Sequence, residues 1–317
     1  MQDASKGVVW NESWRRPLDQ IECPDVVELN GSLVVLGSLQ YDGPWQGTST
    51  TWWIGQADEN GTRFLPHPGA LGLCDYGQSY AVRHGEGPDG RRILFGFSGW
   101  ASPTLEPGCG SYHGMYHVFP REAGIAHGSA SSAPRLQVSP VAEIAGHMRR
   151  AQLADAQPVV RSTAAEADLA VAKGSQLDVE MHCHLGEGMA VPSSGQVSLE
   201  VLADPGAASS SDPGAALVVG YDFGTERLFV DHARMGNATI LQTAPLPRAH
   251  LPLAAGGAPL IRVLVDNAMV ESFGGGEVAL TTFVTPTGDA APEARVARAS
   301  KSGDGVACTV SAWVLGL

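Results

Sequence analysis

Short apolar stretches separated by turn residues run along most of this chain, and they indicate a protein built from β-strands. β-branched and aromatic residues dominate each stretch, as is typical of strands. The predicted strands of the first half cover residues 26–29, 33–38, 50–54, 93–97 and 115–119. Asn-Gly or Asp-Gly pairs at 30–31, 60–61 and 89–90 lie between them and predict hairpins. This rhythm is typical of the four-stranded blades of a β-propeller.

The pattern changes after residue 140 and then returns to strands. Val141, Ile144, Ala145 and Met148 recur at helical spacing, which predicts one short amphipathic helix over 141–152. The Ala-rich stretch 157–173 is predicted to lie in a linker. The predicted strands of the second half cover residues 177–181, 197–202, 216–221, 228–231, 261–266 and 279–284. They predict a two-sheet sandwich, in which the glycines at 274–276 form a hairpin turn.

The predicted fold class is therefore all-β, with two unlike parts. Residues 1–150 form propeller blades and a closing helix, residues 151–175 form a linker, and residues 176–317 form a β-sandwich. The composition agrees, because 39 Gly and 21 Pro among 317 residues supply many turns.

Charge and cysteine content narrow the classes of function. The net charge of -13 argues against nucleic acid or an anionic membrane as partner. No apolar run is long enough to span a bilayer. The five cysteines form no CxxC pair and no zinc spacing, and their odd number leaves at least one free thiol. His182 and His184 flank Cys183 on one face of a predicted strand, but no further metal ligand lies nearby, so they are predicted to be surface or interface residues.

Four of the five asparagines begin an Asn-x-Ser/Thr sequon, namely Asn11, Asn30, Asn60 and Asn237. Such enrichment indicates a glycosylated protein, which is expected to be secreted or vacuolar. The first six residues are polar and show no secretion signal.

The most informative residue is Glu22, within the run Ile-Glu-Cys-Pro-Asp-Val-Val-Glu-Leu at 21–29. A carboxyl group between a strand edge and a turn fixed by Pro24 suits a general acid. Cys23 is a soft, weakly polar neighbour that keeps water away from such a group. The run resembles the acid/base motif of glycoside hydrolase family 32, the invertase and β-fructosidase family.

The resemblance continues in order along nearly the whole chain. The further matching segments are 51–55 with 60–64, Asp-Tyr-Gly-x-x-Tyr-Ala at 75–81, Arg-Arg-Ile-Leu-x-Gly at 91–96, Pro-Arg-Glu at 120–122, and the sandwich strands 228–231, 261–266 and 270–273. This family resemblance implies the C-terminal blades of a five-bladed propeller followed by a β-sandwich. It implies no cofactor and no metal.

By resemblance, Glu22 protonates the departing glycosidic oxygen and then activates water, as the acid/base of a retaining glycosidase does. The family's nucleophile lies in an "NDPNG" segment and its transition-state stabiliser in an "RDP" segment, and neither string occurs here. The chain is therefore expected to be the C-terminal part of a longer enzyme, or a shortened relative, and to be inactive alone. An incomplete ring should leave apolar blade faces bare.

The resemblance also assigns candidate substrate-binding residues. The family uses an aspartate at the position of Asp75 to hold the glucose unit of sucrose, paired with a cation where this chain has Gln78. The alternative role of Asp75 is a turn cap. Phe97 and Trp100 could stack on a sugar or belong to the blade core. Trp10, Trp14, Trp45, Trp52 and Trp53 are expected mainly to pack between blades.

Two functions from different classes remain open at this point. The first is retaining hydrolysis of β-fructosides such as sucrose or fructan, with Glu22 and Cys23 at the site. The second is a non-catalytic carbohydrate-binding or partner protein that is derived from the same family by loss of the nucleophile.

Overall fold

The computed structural model describes residues 20–40, 49–98, 116–126, 133–159, 170–186, 190–205, 214–235, 248–251, 253, 257–284, 290–302 and 305–316. These residues form four antiparallel sheets, two of them propeller blades and two of them the layers of a sandwich. The predicted all-β fold is confirmed. No helix in these ranges is long and apolar enough to cross a bilayer.

The first blade is a four-stranded meander. Its strands are β1 (Gln20–Leu29), β2 (Ser32–Gln40), β3 (Ser49–Ala57) and β4 (Phe64–Leu73), hydrogen-bonded in that order. The predicted hairpin at Asn30 and Gly31 joins β1 to β2. Both residues have positive φ, 49° and 78°, which is what a two-residue hairpin turn requires.

The second blade contains β5 (Ser79–Glu86), β6 (Arg92–Ser98), β8 (Arg121–Ala126) and β9 (Arg135–Pro140), and the short β7 (Tyr116–His117) also pairs with β6. The strand predicted over 115–119 is shorter than expected. Val118 and Phe119 leave the ladder, and the Phe119 N–H donates instead to the Glu271 carboxylate at 2.6 Å. Val118 donates to the Gly96 carbonyl at 3.1 Å.

The predicted helix over 141–152 is also shorter in the structure. The helical part ends with a π-helical turn, Ile144–Met148, whose Ile144 is buried. From Arg149 the chain is extended and pairs with the last strand, Arg149 opposite Leu315 and Gln152 opposite Trp313. Sheet pairing therefore overrides the helical spacing of the apolar residues.

One sandwich sheet has six strands in the order β10 (Arg149–Pro158), β21 (Val306–Leu315), β12 (Gln176–Leu185), β17 (Leu260–Asp266), β18 (Met269–Gly274) and β19 (Val278–Phe283). The other has β11 (Ala170–Lys173), β20 (Val296–Ser302), β13 (Gln196–Ala203), β14 (Leu217–Asp222), β15 (Arg227–Asp231) and β16 (Arg248–His250). A 3-10 turn, Pro292–Ala294, precedes β20. The core of the sandwich lies between the two sheets.

The predicted linker over 151–175 contains sandwich strands, so this part of the domain prediction is wrong. Most of β10 and all of β11 fall within it. β10 is an edge strand in which only Ala154 is buried. Such a strand lacks the alternation of apolar and polar residues on which a strand prediction depends.

A disulfide joins Cys183 of β12 to Cys308 of β21, which lie opposite each other in the ladder. Among the described residues Cys23 and Cys74 are free thiols. His182 and His184 are exposed, as predicted. No group of three or more potential metal ligands occurs in the described part of the chain.

The blades pack directly on the sandwich. Leu264, Met269, Phe273 and Ala279 of β17 to β19 belong to the same apolar core as residues of both blades. The two blades do not close a ring within the described ranges. Several large apolar side chains on them are 40–55% exposed: Ile21, Val26, Leu71 and Phe95.

Candidate active site

Glu22 lies beside a β-bulge in β1, at the edge of the first blade. The β1–β2 ladder pairs Glu22 with Ser38 and resumes at Asp25 opposite Leu36, so the two residues Cys23 and Pro24 stand opposite the single residue Gly37. Cys23 has a φ of 48°, a left-handed conformation that costs a residue with a side chain roughly 1–2 kcal/mol. Pro24 has no main-chain N–H and so cannot donate a hydrogen bond to a neighbouring strand. The sequence Glu-Cys-Pro thus interrupts the strand and re-aims its side chains.

Tyr80 holds the Glu22 carboxylate. Its hydroxyl donates a hydrogen bond to Oε2 of Glu22 at 3.0 Å. Tyr80 is 2% exposed, whereas Glu22 is half-buried. Sequence reasoning noted Tyr80 only as part of the Asp-Tyr-Gly-x-x-Tyr-Ala segment and gave it no role.

A second bulge, in β5, fixes the direction of Tyr80. The β5–β6 ladder is shifted between Tyr80 and Arg83, and Ala81 has a φ of 52°. The displaced amides are satisfied by the first blade, because Ala81 N–H donates to Ser38 Oγ at 3.0 Å and Val82 N–H to Thr50 Oγ1 at 3.1 Å. Those two hydroxyls also bond each other at 2.8 Å. Buried polar groups that satisfy one another in this way fix one arrangement of the two blades.

Asp25 adds a second connection between β1, on which it lies, and β5. Its Oδ2 accepts the His84 main-chain N–H at 2.7 Å and lies 2.8 Å from Nδ1 of the His84 ring. Partial burial raises the pKa of Asp25, but the hydrogen bonds and the charge of His84 outweigh burial and lower the pKa below its ordinary value. Arg83 adds a further link by donating to the Pro24 carbonyl at 2.9 Å.

Phe97 lies next to this group. Its ring meets that of Tyr80 edge to face, with centroids 5.8 Å apart and an interplanar angle of 65°. The structure therefore brings Glu22, Tyr80 and Phe97 together at the junction of the two blades. Trp52 packs in the blade core and its indole N–H donates to the Leu73 carbonyl at 3.0 Å. Trp10, Trp14, Trp45 and Trp100 lie outside the described residues.

Asp75 lies inside the molecule, whereas its predicted role in substrate binding needs a carboxyl group that a sugar can reach. It is fully buried between the blades and the sandwich. Its Oδ1 accepts the main-chain N–H groups of Gly77 and Thr281 at 2.7 and 2.8 Å. Its Oδ2 accepts Arg121 at 2.7 Å and the Thr281 hydroxyl at 2.6 Å.

In the family a cation pairs with the aspartate at this position, and this chain has Gln78 where that cation is expected. Arg121 supplies a cation beside Asp75 instead. The same guanidinium group also binds Glu271 of β18, with Nη2 at 2.5 Å and Nε at 3.1 Å from Oε2. Burial raises the pKa of Glu271, and the nearby Arg121 only partly offsets this. These three buried charged residues couple the second blade to the sandwich.

Gln78 also serves the contact between blade and sandwich. Its main-chain N–H donates to the Thr281 carbonyl at 2.7 Å, and its side-chain Oε1 accepts the Phe283 N–H at 3.2 Å. Asp75 and Gln78 thus both bind the same edge of one sandwich strand, β19, through Thr281 and Phe283.

Comparison with known proteins agrees with the fold. The model of the family 32 glycosyl hydrolase C-terminal domain matches residues 146–314, and that of the N-terminal domain matches residues 9–131. The chain belongs to glycoside hydrolase family 32. Among proteins of known sequence, one named as a glycosyl hydrolase, ecdE of Aspergillus rugulosus, is 40% identical over 74 residues, 23% of this chain and 10% of that protein.

Solved structures of the family share the fold at low identity. The exo-inulinase of Aspergillus awamori superposes with a TM-score of 0.70 and 20% identity, covering 94% of this chain and 57% of the enzyme. The β-fructofuranosidase of Bombyx mori gives a TM-score of 0.67 and 20% identity, covering 93% of this chain and 54% of the enzyme. A variant of the Bombyx mori enzyme has been solved with sucrose. The family 32 chain described here thus spans a little over half the length of these enzymes.

Proposed function

We propose that this family 32 chain carries the acid/base part of a β-fructofuranosidase-type active site, with Glu22 as the proton donor. The observation that carries the proposal is the position of Glu22, beside a bulge at a blade edge and hydrogen-bonded by the buried Tyr80. A carboxyl held in this way has a fixed direction, which proton transfer to a bound glycoside requires.

The proposed reaction proceeds in two steps. Protonated Glu22 donates its proton to the glycosidic oxygen as a nucleophilic carboxylate attacks the sugar from the other side. The hydrogen bond from the Tyr80 hydroxyl to Oε2 of Glu22 orients the carboxyl group for this transfer. The resulting Glu22 carboxylate then removes a proton from the water that hydrolyses the fructosyl-enzyme.

The proposed substrates are β-fructosides such as sucrose or fructan. The likeness to an exo-inulinase and to a β-fructofuranosidase supports this class. The edge of Phe97 beside Tyr80 offers an apolar surface for a sugar ring. Because Asp75 is buried, discrimination between sucrose and fructan must depend on other residues.

The nucleophile in this scheme does not come from the 317 residues, so we expect the isolated chain to be inactive. Purified chain and the complete gene product are incubated with sucrose and with inulin, and free fructose is measured. Turnover by the complete product that disappears in its Glu22→Gln variant supports the proposal. Robust turnover by the isolated chain would instead show that another of its carboxylates is the nucleophile.

The absence of both aspartate motifs from these residues favours one alternative, a carbohydrate-binding protein without catalysis. Calorimetry on the complete gene product separates the two functions. Binding of sucrose or fructan with no release of fructose would favour the alternative.

We further propose that the protein folds in a secretory compartment. The sequons at Asn30 and Asn60 lie on exposed turns of the first blade, where a glycan can attach, and a disulfide joins β12 to β21. Protein from a eukaryotic host is treated with an N-glycosidase and weighed by mass spectrometry. A mass unchanged by this treatment would speak against the proposal.

A further inference from the structure

The bulge beside Glu22 is held by β5 rather than by its own neighbour β2. Cys23 and Pro24 have no partners in the β1–β2 ladder, and Cys23 adopts a left-handed conformation. An unpaired stretch of this kind keeps one conformation only when its surroundings impose it. Three residues of β5 bond this part of β1: Tyr80 donates to Glu22, Arg83 to the Pro24 carbonyl and His84 to Asp25.

The link between Asp25 and His84 is the shortest of these contacts. Two groups of His84, its main-chain N–H and its ring Nδ1, converge on Oδ2 of Asp25 at 2.7 and 2.8 Å. Oδ1 accepts the N–H of the next residue, Val26, at 2.9 Å. A carboxylate only accepts hydrogen bonds, so Nδ1 of His84 carries a proton. The side chains of Asp25 and His84 are 16% and 25% exposed, which limits competition from water.

We infer that Asp25 and His84 are positioning residues for Glu22, which fix the bulge just after the acid/base. Tyr80 holds the carboxyl group itself, and the Asp25–His84 pair holds the main chain that carries it. Only Cys23 and the rigid Pro24 separate Glu22 from Asp25, so a shift of Asp25 is transmitted to Glu22. This inference rests on the proposed function to the extent that Glu22 is the acid/base.

The role of the His84 side chain is tested by substitutions that move one nitrogen. Asparagine places its amide nitrogen at the same number of bonds from Cβ as Nδ1, and glutamine places it one bond further. His84→Asn should therefore keep the bond to Asp25, whereas His84→Ala and His84→Gln should lose it. All three variants should keep the hydrogen bond from the main-chain N–H of residue 84 to Asp25. Asp25→Asn changes the same link from the other side, should His84→Ala fail to fold.

The first measurement needs no activity. The Glu22 carboxyl carbon is followed by NMR at constant pH in the full chain, and is assigned with Glu22→Gln. In His84→Ala and His84→Gln the resonance should move away from its wild-type position, and in His84→Asn it should stay close to it. A resonance at the same position in all four proteins would overturn the inference.

The second measurement uses the complete gene product. A displacement of about 1 Å costs up to about a hundredfold in rate, so His84→Ala and His84→Gln should lower kcat for sucrose about tenfold to a hundredfold. KM should change little, and His84→Asn should retain most of the activity. A fructoside with a good leaving group should lose much less, because its first step needs little acid help.

The outcomes distinguish the inference from the proposed function. Equal losses on the two substrates, or a His84→Asn variant as poor as His84→Ala, would leave the pair a purely structural role and overturn the inference. If the wild-type gene product releases no fructose, the proposed function fails, and the Glu22 resonance alone decides whether Asp25 and His84 position that residue.

Discussion

Replacing Arg121 by methionine should destabilise the protein strongly, because it leaves two carboxylates buried without their cation. The Arg121 side chain is 2% exposed, and those of Asp75 and Glu271 are fully buried. The guanidinium group contacts Asp75 at 2.7 Å, Glu271 at 2.5 Å and the Thr281 hydroxyl at 2.6 Å. Methionine fills a similar volume but offers no donor to any of them.

The size of the effect follows from the burial of all three charges. Removal of one partner from a buried ion pair typically costs about 3–5 kcal/mol. Arg121 serves two carboxylates, so we expect a loss in the upper part of that range. Neutral partners should relieve it: in the triple variant Arg121→Met, Asp75→Asn, Glu271→Gln no charge remains buried, and Asn keeps an oxygen for the N–H groups of Gly77 and Thr281.

The measurement is the free energy of unfolding in urea for the wild type, the single variant and the triple variant. Acidification adds a second test. A carboxyl whose pKa is higher in the folded than in the unfolded protein binds its proton more readily when folded, so low pH favours folding. In the wild type this applies to Glu271, whose pKa is raised by burial. Without Arg121 the pKa of Glu271 should rise further, so the deficit of the single variant should shrink from pH 7 to pH 5.

A loss below about 1 kcal/mol in Arg121→Met would refute this reasoning, because it would mean that the carboxylates are not desolvated as the structure places them. A triple variant as unstable as the single one would show that packing of the arginine, rather than its charge, matters. A deficit that grows on acidification would contradict the assigned direction of the pKa shift.

Three further predictions concern catalysis, the disulfide and the domain boundary. In the complete gene product, Glu22→Gln should lower sucrose turnover by about a hundredfold or more. Single-turnover kinetics should show a much smaller loss for a fructoside with a good leaving group. Equal losses on the two substrates would rule out Glu22 as the acid. Replacing Cys183 and Cys308 by serine should lower the free energy of unfolding in urea by about 2–4 kcal/mol, since the bridge links residues 125 apart in sequence. A wild-type protein whose stability is unaffected by dithiothreitol would contradict this. A fragment of residues 149–317 should melt at a higher temperature than one of residues 160–317, because the shorter piece lacks β10 and exposes the edge of β21. Equal melting temperatures would count against a sandwich that begins at β10.

The features that were predicted correctly from the sequence are encoded by residues that are adjacent in the chain. The hairpin at Asn30 and Gly31 is encoded by two adjacent residues whose conformation the turn demands. Glu22 was singled out by the local run Glu-Cys-Pro-Asp and the family resemblance that this run carries, and the run lies at the bulge of β1. The strand β10 was missed because an edge strand with one buried side chain has no periodic pattern to detect.

The contacts that sequence reasoning missed connect distant parts of the chain. Arg121 meets Asp75 across 46 residues and Glu271 across 150 residues. His84 meets Asp25 across 59 residues. None of these separations leaves a local pattern, so the contacts of Asp75 with Arg121 in the second blade and with Thr281 in the sandwich were not predicted.

These distant contacts link the sandwich to Glu22. Arg121 begins β8, and β8 pairs with β6, which in turn pairs with the β5 strand that carries Tyr80 and His84. Glu271 and Thr281 of the sandwich therefore fix the second blade, and that blade fixes the bulge beside Glu22. Rigid support of this kind is what a catalytic carboxyl requires, since its rate contribution depends on sub-ångström placement. It follows that, if Glu22 is the acid/base we propose, the sandwich supports the site by holding the blade whose Tyr80 hydroxyl bonds Glu22.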